Sequence, residues 1–151
     1  MLIRPQLEYA VAAWDPYTAR DTAQLEKVQR RAARFAKKDF RRITSVTQLQ
    51  SNIGCNQLAD RRGTARLCML FTATHGLAAI PTDALERPSK ATRYSTEHTF
   101  INLPCRIDAY RFSFFPRTIT DWNALPEAVR LKPSVDSFRA ALQTHHPPSC
   151  Y

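Results

Sequence analysis

The chain has 151 residues, of which 44% are hydrophobic, enough for one domain with a buried core. Its 22 Lys and Arg against 13 Asp and Glu leave a formal charge of +9, which turns the choice of partner toward polyanions, nucleic acid first. The longest apolar runs, 10–14 and 68–71, are too short to span a bilayer, and Arg4, Pro5 and Glu8 interrupt the place where a signal peptide needs an apolar core. An intracellular protein of nucleus or cytoplasm is expected, neither secreted nor inserted in a membrane.

Ten prolines against three glycines predict a mainly α fold of short amphipathic helices and irregular connections. One small antiparallel β-hairpin is expected near the C-terminal third. Pro5 suits a first helical turn, and Leu7, Ala10, Val11 and Trp14 recur with helical spacing, so the first helix is expected to end at Pro16. Thr18 then caps a second helix, with Asp21 as its capping-box partner, reaching about Lys38. Thr44 and Ser45 offer a cap for a brief helix through Ile53, closed by Gly54. A fourth helix is expected over 57–75, with Leu58, Ala65, Cys68, Phe71 and Thr72 inward, Gly63 as its weak point and Gly76 just past its end.

Residues 88–98 are polar, basic and without period, which reads as a loop or tether between a helical region, 1–87, and a second region, 99–144. In that second region 99–103 and 110–115 are rich in aromatic and β-branched residues and supply the two strands of the expected hairpin, with 104–109 between them. Pro116 closes the second strand, and 117–124 makes a helical turn that tucks Trp122 and Leu125 inward before Pro126. Ser134 caps a last helix whose apolar stripe is Val135, Phe138, Ala141 and Leu142. The tail, 145–151, is expected to be disordered.

The clearest chemical signal lies in 25–42. Stepping about 100° per residue puts Leu25, Val28, Ala32, Phe35 and Ala36 on one face, with Lys27, Arg30, Arg31, Arg34, Lys37, Lys38, Arg41 and Arg42 opposite and Asp39 as the exception. Cations repeating at each turn suit successive phosphates of a nucleic-acid backbone, and arginine forks match phosphate oxygens well. A charge run is usually a solvated helix face; here the positive charge is nearly unopposed, which favours phosphate binding. An anionic membrane fits the narrow, alanine-rich apolar face less well, and an acidic protein remains a third partner.

Tyr110, Phe112, Phe114, Phe115 and Trp122, flanked by Arg106, Arg111 and Arg117, read either as a base-stacking platform or as packing. Alternation in the expected strand favours packing. Nucleotidyl transfer by two metal ions needs converging carboxylates, yet no two of the acidic residues are adjacent, and no Gly-rich phosphate loop, HExxH or GxSxG pattern occurs. Cys55, Cys68, Cys105 and Cys150 lack zinc-site spacing with His75, His98, His145 and His146, so the cysteines read as reduced thiols. No catalytic residue, metal or cofactor is expected.

Two blocks carry a resemblance. LIRPQLEYAVAAWDPYTARD followed by LEKVQRRAARFA is similar to the segment after the palm of jockey- and CR1-type non-LTR retrotransposon reverse transcriptases. RIDAYRFSFFPRTITDWNALPEAV followed by PSVDSFRAAL resembles the way those polyproteins end. The resemblance implies a thumb and post-thumb region of an RNA-directed DNA polymerase: a non-catalytic C-terminal fragment, since the palm carboxylates are absent from it. It also implies that the first two helices lie beside a primer–template duplex, gripping RNA/DNA or DNA backbones without regard to sequence, with the palm domain as a protein partner. A region that leans on a palm is expected to expose an apolar patch around Trp14 or Phe35 when isolated. The alternative is a stand-alone small basic nucleic-acid-binding protein of chromatin or ribonucleoprotein type.

Overall fold

The computed structural model describes residues 3–11, 13–38, 57–79, 83, 85–89 and 98–145. Seven helices and no strand lie among them: α1 (Ile3–Glu8), α2 (Ala19–Lys37), α3 (Leu58–Thr74), α4 (Asp108–Arg111), α5 (Phe114–Asn123), α6 (Glu127–Arg130) and α7 (Val135–Thr144). The mainly helical expectation therefore holds and the hairpin does not. The chain divides into two compact units, 1–63 and 64–151, with the division inside α3. The tether expected at 88–98 falls within the second unit, and 90–97 lie outside the described residues, as do the brief helix expected through Ile53 and the tail after His145.

In the first unit the opening helix is shorter than its apolar spacing suggests. α1 stops at Glu8, and Ala10 takes a left-handed conformation (φ 51°) that turns the chain. The cause lies 55 residues on. The buried Arg62 guanidinium donates to the Leu7 carbonyl, which a continuing helix would use internally, and also to the Trp14 carbonyl and the Asp15 carboxylate. Among the described residues, Leu7, Val11, Ala32, Ala33 and Leu58 are the buried apolar side chains of this unit, none of them aromatic.

The second unit is built the opposite way, around rings. Phe71 stacks on Phe138 with centroids 4.7 Å apart, Trp122 lies 5.6 Å from Phe138 and 6.1 Å from Phe100, and Leu67, Leu70, Ile119, Leu125, Val129 and Leu142 fill the spaces between. Trp122 is the core plug expected of it, its indole N–H donating to the His98 carbonyl at 2.9 Å. Ser134 caps α7 in a reciprocal capping box with Ser137, and Phe138 and Leu142 are buried, as the spacing predicts. Gly76 (φ 67°) closes α3 where it was expected, with Leu77 N–H bonded to the Thr72 carbonyl. Of the residues expected inward on α3, Leu58, Cys68 and Phe71 are buried and Thr72 half-buried, whereas Ala65 is exposed.

The expected hairpin fails for two physical reasons. Pro116 is the third residue of α5, in the first turn, where its missing N–H removes nothing because that turn has no intrahelical acceptors; it therefore starts a helix instead of closing a strand. Phe100, in the would-be partner strand, satisfies its backbone on a side chain: its N–H donates to Asn123 Oδ1 (3.1 Å) and its carbonyl accepts from Asn123 Nδ2 (2.8 Å). One carboxamide thus does what a neighbouring strand would do.

Candidate nucleic-acid interface

α2 begins where the sequence says it should. Thr18 accepts from Asp21 N–H at 3.2 Å, and its hydroxyl donates to the Asp21 carboxylate at 2.7 Å. Lys38, left-handed at φ 51°, ends it, its N–H reaching the Arg34 and Phe35 carbonyls. Arg34 and Lys37 occupy the last turn, where positive charge complements the helix dipole.

The buried face differs from the one read off the sequence. Ala32 is buried as expected, but its companions are Gln29 and Ala33, while Val28, Phe35 and Ala36 are exposed and Leu25 only half-buried. The helix is turned toward its polar side because that side has partners. Gln29 accepts from the Arg61 guanidinium, and the Glu26 carboxylate accepts the first N–H of α3, Leu58 N, at 2.5 Å. A buried polar group with a good partner costs little, so hydrophobicity alone misorients the wheel here.

The turn leaves the cations in front. Lys27, Arg30, Arg31, Lys37 and Lys38 are exposed and Arg34 is half-exposed, and none of the six has an ion-pair partner among the described residues. Arg41 and Arg42, also expected in this stripe, lie outside the described residues. Arg20, seven residues before Lys27, is exposed on the same side and extends the stripe beyond the segment 25–42; two helical turns of spacing are the signal for it in the sequence. The two acids of the helix point their carboxylates to other hydrogen-bond donors, Asp21 to the cap and Glu26 to the start of α3. Among the described residues, no acid pairs with the cations on the solvent face of α2.

Other arginines have structural work. Arg62 and Arg66 are buried and bonded to Asp15 (2.7 Å) and Asp121 (3.0 Å), Arg61 lies 2.5 Å from Glu8, and Arg130 reaches the His98 carbonyl. Burial pushes the Arg130 guanidinium below its ordinary value, with Glu127 acting the other way. These groups cannot meet a ligand without dismantling the fold.

The aromatic cluster near the C-terminal third divides. Trp122 is buried, Phe112, Phe114 and Phe115 are half-buried, and Tyr110, expected to pack, is exposed. Among the described residues no three His, Cys, Asp or Glu side chains gather as metal ligands, and no helix is long and apolar enough to cross a membrane. Compared with known proteins, the chain matches no family profile, no curated protein and no solved structure.

Proposed function

We propose that the chain is a nucleic-acid-binding module that grips phosphate backbones through the solvent face of α2 and carries out no catalysis itself. The observation that carries this reading is the set of cations without an ion-pair partner among the described residues, Lys27, Arg30, Arg31, Lys37 and Lys38 exposed and Arg34 half-exposed, opposite the buried Gln29, Ala32 and Ala33. Rows of cations on passive surfaces are normally mixed with acids, and here the acids of the helix are engaged elsewhere. Such a face positions a backbone without reading bases.

In line with the sequence resemblance, the role is that of the thumb and post-thumb region of a jockey- or CR1-like RNA-directed DNA polymerase, with a palm domain as protein partner. An intracellular setting, nucleus or cytoplasm, follows from such ligands.

The test is duplex binding across a salt series. Each phosphate contact adds about 0.9 to the slope of log affinity against log salt, so replacing Arg30, Arg31 and Arg34 by Ala together flattens the slope by about 2–3. An unchanged slope rejects this face, and primer extension by the purified chain rejects the non-catalytic reading.

A further inference from the structure

The described rings of the first unit are on the outside. Tyr9, Trp14, Tyr17 and Phe35 are all exposed, Tyr9 at 76% and Phe35 at 74%, while its buried apolar side chains among the described residues are Leu, Val and Ala. The second unit buries Phe71, Phe100, Trp122 and Phe138. Single exposed rings are common, but a ring as bare as Phe35 among cations is apolar area that a ligand can cover.

The charge around Phe35 narrows what that ligand is. On a helix, residues three and four apart are neighbours, so Phe35 has Arg31 one turn before it and Val28 one turn beyond Arg31, and the left-handed Lys38 follows at the end of α2. None of these cations has an ion-pair partner among the described residues. A ligand filling this surface must alternate negative charge with flat apolar area at intervals of a helical turn. In a duplex the base faces are stacked inward, and a helix meets phosphates, sugars and base edges but no free face on which a ring can stack. In an unpaired strand each nucleotide offers both a phosphate and a free base face.

We infer that α2 takes single-stranded nucleic acid, with Phe35 stacking on a base while Arg31 and Lys38 hold the flanking phosphates. The inference rests on the phosphate-binding reading and sharpens it, assigning an unpaired strand where that reading alone is satisfied by a duplex.

The experiment compares a labelled single-stranded oligonucleotide with the duplex of equal length at one ionic strength, by fluorescence anisotropy. The single strand binds more tightly. Phe35→Ala weakens it about tenfold or more, with the salt slope unchanged and duplex binding unaffected. Arg31→Ala weakens both ligands and flattens both slopes. Phe35→Leu behaves like Phe35→Ala, because the ring and not its apolar bulk is required. At 74% exposure Phe35 holds no core together, so melting curves of these variants coincide with that of the parent chain.

Equal affinity for both ligands with Phe35→Ala silent overturns the inference and leaves the phosphate reading standing. Binding to neither ligand overturns both. Full activity in Phe35→Leu overturns stacking, and a parent chain that self-associates until Phe35 is replaced shows that the ring meets a second copy instead.

Discussion

Arg62 Nε lies 2.7 Å from Asp15 Oδ1, with the arginine side chain 2% and the aspartate side chain 11% exposed. The same guanidinium donates to the carbonyls of Leu7 and Trp14 and stacks over the Trp14 ring, 4.2 Å from its centroid. Every nitrogen of the group is engaged, which is the condition under which a buried cation is tolerated. What it stabilises is a chain path, the turn through Ala10 that carries α1 back toward α2.

Removing that cation takes from Asp15 its buried guanidinium and from the Leu7 and Trp14 carbonyls a charged donor, so Arg62→Met lowers stability by about 3–5 kcal/mol. Arg62→Lys recovers only part of the loss, because one ammonium cannot reproduce a planar fork that meets three acceptors and sits over an indole. Urea denaturation checks both variants. A methionine variant as stable as the parent shows that the network is incidental to the fold.

Thr118 offers a change in the other direction. It is fully buried in α5, and its hydroxyl has no hydrogen-bond partner among the described residues. Valine has nearly the same shape and helix propensity but no polar atom to strand, so Thr118→Val raises stability by about 1 kcal/mol. Thr118→Ser keeps the hydroxyl and opens a methyl-sized cavity, lowering stability by about 1 kcal/mol. Thermal melts decide, and a destabilised valine variant means that the hydroxyl is bonded after all.

How much of this was legible in sequence follows the range of the interactions. The Thr18 and Ser134 caps, the close of α3 at Gly76 and the burial of Phe138 and Leu142 rest on residues within a turn or two, and spacing found them. The burial of Gln29 depends on Arg61, 32 residues away, and that of Arg62 on Asp15, 47 residues away. Composition cannot tell such arginines from solvated ones. The error over 110–115 is of another kind: its alternating rings match a strand, but Pro116 fits the first turn of a helix equally well, and Asn123 removes the need for a partner strand. For the candidate site, the identity of the cations was legible; periodicity placed Phe35 with the buried residues, whereas the apolar patch expected around Trp14 or Phe35 agrees with the exposure of both.

Cys68 gives the pH dependence its sign. Burial against the ring-filled core pushes its thiol above the ordinary value, Arg139 draws it partly back, and Asp136 adds to the rise. The native state therefore keeps this proton at pH values where the unfolded thiol, with an ordinary value of about 8.5, has begun to lose it. More protons bound in the native state means that stability falls as pH rises. The contribution is complete below about pH 8.5 and declines above it, by at most about 1.4 kcal/mol per pH unit for one group. Other groups titrate in the same range, so the comparison is with Cys68→Ala: the variant loses stability at neutral pH through its cavity, but the gap to the parent narrows as the solution becomes alkaline. Urea midpoints measured across that range provide the check, and a gap that stays constant means that the Cys68 proton is held no more tightly in the native chain than in the unfolded one.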